Sequence, residues 1–222
     1  MSTEGNDLCK KLATRIAGKF IVLDGPDGCG KSTQLQLLAD TITRAGVDQI
    51  IVRDPGDTPV GDSIRRILLG KDHEDRAIQC ELMLFMASRA QLVAAKIKPA
   101  LTEGKTVLGD RYVSSSCAYQ GAGGLEIARI LDIAQFATQN TWPHLTIVLD
   151  VPADVGLCRI NTQRNQAHDT MERRGLEYHQ KVRDIFLKLP HIYPKPVVIV
   201  DATQSVQCVH QAILETLTGV DY

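Results

Sequence analysis

Five short apolar runs, most of them rich in β-branched residues, divide the chain: 19–24 (KFIVLD), 49–54 (QIIVRD), 106–110 (TVLGD), 145–150 (LTIVLD) and 196–201 (PVVIVD). Continuous apolar runs, as opposed to alternating ones, suit strands covered on both faces. Between them, helical spacing predicts helices over 32–45, 61–69, 78–102, 125–139, 153–163, 170–189 and 205–217. Strands alternating with helices build βαβ units, so the pattern predicts a three-layer α/β/α domain around a five-stranded parallel sheet. Each run ends in aspartate (Asp24, Asp54, Asp110, Asp150, Asp201). In such a sheet ligands sit beyond the carboxyl ends of the strands, which puts these residues on the functional rim, although an aspartate after a strand is also an ordinary turn residue.

There is no internal repeat and no low-complexity linker, so 19–222 reads as one domain preceded by an arm, 1–18, with helical potential over 7–16. The polar stretch 161–169 (NTQRNQAHD) between two helical segments reads as part of a flap spanning about 159–174.

Composition narrows the function. With 25 Lys+Arg against 26 Asp+Glu among 222 residues, the chain has no global field for a nucleic-acid backbone, so an anionic ligand must be met by local donors. Cysteines at 9, 29, 80, 117, 158 and 208 have neither CxxC nor metal-ligand spacing and read as reduced thiols. No apolar run has the length of a membrane span, and the polar start lacks a secretory signal's apolar core, so the expectation is a cytoplasmic protein with neither nucleic-acid nor membrane partners.

Gly25-Pro26-Asp27-Gly28-Cys29-Gly30-Lys31-Ser32, followed by Thr33, fits GxxxxGK[ST] between a predicted strand and a predicted helix. Glycines let backbone N–H groups wrap a polyphosphate, and the helix start adds its positive dipole end. Lys31 reaches the β- and γ-phosphates and Ser32 offers a hydroxyl to Mg²⁺. The simpler reading of Cys29 is a small residue in a small slot.

Three further constellations follow in order: Arg53-Asp54-Pro55-Gly56-Asp57-Thr58-Pro59 after the second strand, Phe85-Met86-Ala87-Ser88-Arg89 in the long helix, and Asp110-Arg111-Tyr112 leading to Ser114-Ser115-Ser116-Cys117-Ala118-Tyr119-Gln120-Gly121. Arg53, Arg89 and Arg111 are suited to bidentate phosphate binding. Phe85 and Arg89 lie four apart, on one helix face. A core role is the simpler reading of Phe85 on its own, because its neighbours are apolar.

Together these four blocks resemble the bacterial-type thymidylate kinases, P-loop nucleoside monophosphate kinases, from about Gly18 to the last helix. The resemblance implies the P-loop nucleotide kinase fold, ATP as co-substrate, Mg²⁺, dTMP as acceptor in dTTP biosynthesis, and a homodimer. It makes Phe85 the base-stacking ring, Arg89 the base-contacting cation and Arg111 the acceptor-phosphate ligand. Asp110 orients Arg111 and holds Mg²⁺, and Asp27 lies near the sugar or the metal. Arg53, Ser116 and Gln120 join the dTMP site, and Tyr119 packs against the sugar. With no basic residue in the phosphate loop before Lys31, the flap must supply a cation from among Arg159, Arg164, Arg173 and Arg174; Arg164 and Arg173 are the catalytic candidates. The family's usual flap arginine is replaced by Thr170, its Gly by Asp57, and two of its glutamates by Asp24 and Asp54. A kinase for another nucleotide (UMP, CMP or a deoxynucleoside) and a nucleotide-binding module without turnover stay open as alternatives.

Overall fold

The structure, a computed structural model, describes residues 3–70, 75–163 and 174–221. In chain order its elements are α1 (Thr3–Ile16), β1 (Phe20–Asp24), α2 (Lys31–Arg44), β2 (Gln49–Arg53), α3 (Pro59–Leu69) and α4 (Ile78–Leu92). A π turn (Val93–Ile97) leads into α5 (Lys98–Thr102), followed by β3 (Thr106–Asp110), α6 (Val113–Ala122), α7 (Ile127–Ala137), β4 (Leu145–Asp150), α8 (Ala153–Gln163), α9 (Leu176–Ile192), β5 (Val197–Asp201) and α10 (Val206–Gly219).

Among the described residues the strands form one sheet in the order β2-β3-β1-β4-β5, parallel throughout. The apolar run that opens β1, Phe20 to Leu23, follows from its central place. Phe20 and Val22 join the core under α4, α6 and α9, while Ile21 and Leu23 join the core under α1, α2 and α10. Side chains alternate along a strand, so a strand covered on both faces needs an apolar residue at every position. β1 is flanked by β3 and β4, the switch point at which α/β sheets open a crevice beyond the strand ends.

The helix expected over 78–102 spans those residues as α4, the π turn and α5 in succession, the π turn directly preceding the segment where Pro99 offers no N–H. Other expectations need correction. Residues 113–122 form α6, which periodicity missed because Val113 through Gln120 are all buried and show no polar face. The helix predicted over 170–189 is described as α9, starting after Gly175 and running on through Ile192; 170–173 lie outside the described residues. β1 begins at Phe20, β2 ends at Arg53 and β5 begins at Val197, each one residue inside its predicted run, while α3 starts two residues earlier at Pro59 and α7 is shorter at both ends. The N-terminal segment forms α1, whose Leu12 and Ile16 are fully buried in the core shared with α2 and α10.

Candidate active site

The phosphate loop leaves the carboxyl end of β1 and enters α2. Gly28 has φ +74°, and a Cβ there would fall 2.1 Å from the Gly156 carbonyl oxygen, so the loop closes against α8 only with glycine at that position. Gly30, also left-handed, precedes the first turn of α2. Lys31 curls back, its Nζ donating to the carbonyls of Gly25 and Pro26 at 3.0 Å each, with the Cys29 sulfur at 3.5 Å. Cys29 is 3% exposed, the small residue in a small slot that the sequence suggests. Ser32 and Thr33 are exposed on the first turn of α2. These residues form one end of a cavity of about 660 Å³, the size of a small-molecule site.

The other end is built by β2, β3, α4 and α6. Arg111, the first residue past β3, takes a left-handed φ of 69°. Its guanidinium bridges both halves of the cavity: Nη1 donates to the Gly25 carbonyl at 3.1 Å and to Ser115 Oγ at 3.0 Å, and Nη2 to Asp27 Oδ1 at 2.5 Å. Tyr119 donates to Asp27 Oδ2 at 2.7 Å. Burial would raise the Asp27 carboxyl, but Arg111, Lys31 and the Tyr119 hydroxyl outweigh it and hold it below its ordinary value. Burial likewise opposes the Arg111 charge, and its surroundings, Tyr119, Asp27, Asp24 and Asp110, more than restore it.

Arg89 is 1% exposed and committed to Asp54, donating through Nε at 2.6 Å, and its Nη2 also bonds the Tyr112 carbonyl and Ser116 Oγ. Burial pushes the Asp54 carboxyl up, against the pull of Arg89. Both residues line the cavity, as do half-buried Phe85 and exposed Arg53. Arg53 is drawn toward Asp57, whose Oδ2 accepts its backbone N–H at 2.8 Å. Ser116, Tyr119 and Gln120 line the same space, and Asp110 sits beside Arg111.

Of the flap cations, Arg159 lines the cavity and donates to the Ala202 carbonyl, whereas Arg174 bonds Glu81 and Tyr178. Arg164 and Arg173 lie outside the described residues. Sequence reasoning missed Asp24 as an anchor and Glu81 altogether. Glu81, Phe85 and Arg89 are spaced i, i+4, i+8, a shared helix face that was the available signal.

The sheet order, the glycine-rich loop closing on a helix start, and a second cluster of arginines facing it across one cavity define a P-loop nucleotide kinase. A family model described as thymidylate kinase matches residues 23–213. A thymidylate kinase of Kosmotoga olearia is 41% identical over 197 residues, 88% of this chain and 93% of the relative. Those of Pseudomonas fluorescens and Symbiobacterium thermophilum are 42% and 43% identical, covering 89% and 87% of this chain and 94% and 90% of the relatives. The chain belongs to the thymidylate kinase family.

Proposed function

We infer that the protein transfers the γ-phosphoryl group of ATP to dTMP, giving ADP and dTDP on the way to dTTP. The observation that carries this reading is the position of Arg111, which touches the phosphate loop at Gly25 while standing among the acceptor-side residues Ser115 and Tyr119. A guanidinium there meets both nucleotides' phosphates where they converge. Phosphoryl transfer needs in-line positioning and charge neutralisation, not a covalent intermediate. Lys31, released from the Gly25 and Pro26 carbonyls, turns to the donor phosphates, while Arg53 and Arg111 hold the acceptor phosphate. A flap cation, Arg164 or Arg173, joins them, and the flap excludes water from the transferring group.

For the base, Phe85 supplies a stacking face and Gln120 an accepting amide oxygen for N3–H. Gln120 Nε2 already donates to Glu81, and its buried Oε1 has no partner among the described residues. Arg89 and Ser116 complete the base pocket. The rigid Tyr119 ring, set edge-on to Phe186 with its hydroxyl fixed on Asp27, closes the sugar side against a 2′-hydroxyl.

Ser32 and Asp110 bring a hydroxyl and a carboxylate to one cavity, hard oxygens that fit Mg²⁺. No group of three or more His, Cys, Asp or Glu ligands occurs among the described residues, which suits an ion held mainly by nucleotide phosphates and water. With Mg²⁺ held there, positive charge would be supplied to the phosphates.

The assembly in this reading is a homodimer. Exposed Val60 and Ile67 on α3, Met83 on α4 and Phe136 on α7 supply apolar surface on neighbouring helices, and light scattering would then give twice 24.4 kDa. Residues 19–222 act as one kinase domain, with 1–18 as an arm and the flap around 159–174. No helix among the described residues is long and apolar enough to cross a membrane, and a cytoplasmic place suits the nucleotide substrates.

Coupled ADP release with dTMP, dUMP, UMP and CMP tests the reading. dTMP should be used best, dUMP less well by about 10–200-fold because one methyl separates the bases, and UMP and CMP near background. Comparable use of UMP or CMP, or ATP binding without ADP release, would overturn it.

A further inference from the structure

Glu81 lies in the first turn of α4, 1% exposed, and its two oxygens have divided duties. Oε2 faces cations, with Arg174 Nη2 at 2.6 Å and Arg76 Nε at 3.7 Å. Oε1 receives Gln120 Nε2 at 3.0 Å. A carboxylate paired with guanidinium groups offers only acceptors, so the Gln120 atom facing it must be the NH₂. The other end of that amide is then an oxygen, and it is the buried Oε1 that has no partner among the described residues. Gln120 itself is 1% exposed and lines the cavity on α6.

We propose that Glu81 is a specificity-determining positioning residue: by locking the Gln120 amide with its oxygen toward the acceptor base, it admits bases that present a donor at N3 and rejects those that present a lone pair there. The inference rests on Gln120 being a base-reading residue, as set out above. Thymine and uracil carry N3–H, which Oε1 accepts. Cytosine presents an N3 acceptor, which would set two acceptors against each other at the buried Oε1. A free glutamine turns its amide over and accepts either pattern, so discrimination at N3 has to come from whatever prevents that rotation. Glu81 reaches no reacting atom, and its effect runs entirely through Gln120. Its second oxygen also ties Arg174, at the end of the flap, to the same point. Arg174 in turn bonds the Tyr178 hydroxyl, which donates to the Tyr119 carbonyl one residue before Gln120.

The test compares kcat/KM for dTMP and dCMP in the wild-type protein and in Glu81→Gln, Glu81→Asp and the double variant Glu81→Gln/Arg174→Gln. Glu81→Gln puts an amide opposite Gln120 that can pair with either orientation, so the dTMP/dCMP ratio should fall by at least about tenfold. Glu81→Asp still offers only acceptors and should keep the ratio within about threefold even where turnover drops. The double variant removes the guanidinium that Glu81→Gln would leave buried without its partner, and should show the same fall in ratio. A purely structural role would lower both acceptors together, and a folded Glu81→Gln protein with an unchanged ratio overturns the proposal. Failure of both glutamine variants to fold also overturns it, by assigning Glu81 to stability alone. A wild-type protein that uses dTMP and dCMP alike would instead refute the reading of Gln120, and it would do so before any substitution is made.

Discussion

Asp24 and Arg111 meet where the ends of β1 and β3 converge, with Arg111 Nη1 3.4 Å from Asp24 Oδ1. The Asp24 carboxylate is fully buried and also accepts from the Gly25 N–H at 2.8 Å, Ser114 Oγ at 2.5 Å and Ser115 Oγ at 2.7 Å. One carboxylate thus ties the first residue of the phosphate loop to the start of α6 and to the arginine between the substrates. Asp24→Asn keeps the shape but removes the charge and one accepting oxygen. We expect kcat to fall by about 10²-fold, the cost of a reacting group displaced by about an ångström, with a smaller change in the KM for ATP. Steady-state kinetics with both substrates varied measures this. A kcat within twofold of wild type would mean that Asp27, Ser115 and the Gly25 carbonyl hold Arg111 without the Asp24 charge.

Gly28 and Gly30 separate steric need from backbone strain. Both have positive φ, 74° and 90°, but a Cβ on Gly28 meets the Gly156 oxygen at 2.1 Å, whereas one on Gly30 meets nothing within 4 Å. Gly30→Ala should therefore cost only the left-handed penalty, about 1–2 kcal/mol, or about 2–8 °C in a chain of this length. Gly28→Ala must also push α8 away from the loop and should lower the melting temperature by more. Thermal unfolding of the two ligand-free variants checks the order.

How much of this was legible in sequence depended on how far the signal travels along the chain. β1, with its unbroken Phe20–Leu23, and β4, with only Thr146 between apolar residues, stand out because a strand covered on both faces is mostly apolar, and the phosphate loop because its chemistry is local. α6 stayed hidden because burial from Val113 to Gln120 erases the polar face that periodicity detects. The Arg89–Asp54 pair joins residues 35 apart in sequence, and nothing local to either announces the other. Supporting residues such as Asp24 and Glu81 are harder still, since they act through other side chains and not on a ligand. Only the shared face of Glu81, Phe85 and Arg89 pointed toward one of them.

Asp57 stands where the family motif has glycine, and it holds a left-handed φ of 61°. Its carboxylate accepts the Arg53 N–H and lies 3.7 Å from the Arg53 guanidinium, with Asp62 at 4.0 Å. An acceptor phosphate reaching Arg53 competes with this carboxylate. The pair is partly exposed, so the competition is worth only about 0.2–1 kcal/mol. Asp57→Gly should lower the KM for dTMP by up to about fivefold at unchanged kcat. A raised KM would show that Asp57 aims Arg53 at the phosphate.

Thiol reactivity reports on the packing of both ends of the site. Cys117 is fully buried on α6, and burial pushes its thiol up to about 12, against a smaller opposing pull from Arg89. The thiolate is the reactive species, so near pH 8 Cys117 stays almost wholly in its unreactive thiol form even before access is considered. Cys29 is shielded by the phosphate loop, while Cys80, Cys158 and Cys208 are exposed. In native protein treated with iodoacetamide at pH 8, site-resolved mass spectrometry should find Cys80, Cys158 and Cys208 labelled within minutes, with Cys29 and Cys117 spared until denaturant is added. Bound ATP analogue should leave Cys117 unchanged and slow Cys29 further, since the phosphates fill the loop around it. Labelling of Cys29 as fast as Cys208 in the ligand-free protein would show that the phosphate loop opens on its own, and the closed loop described above would then be only one of its states.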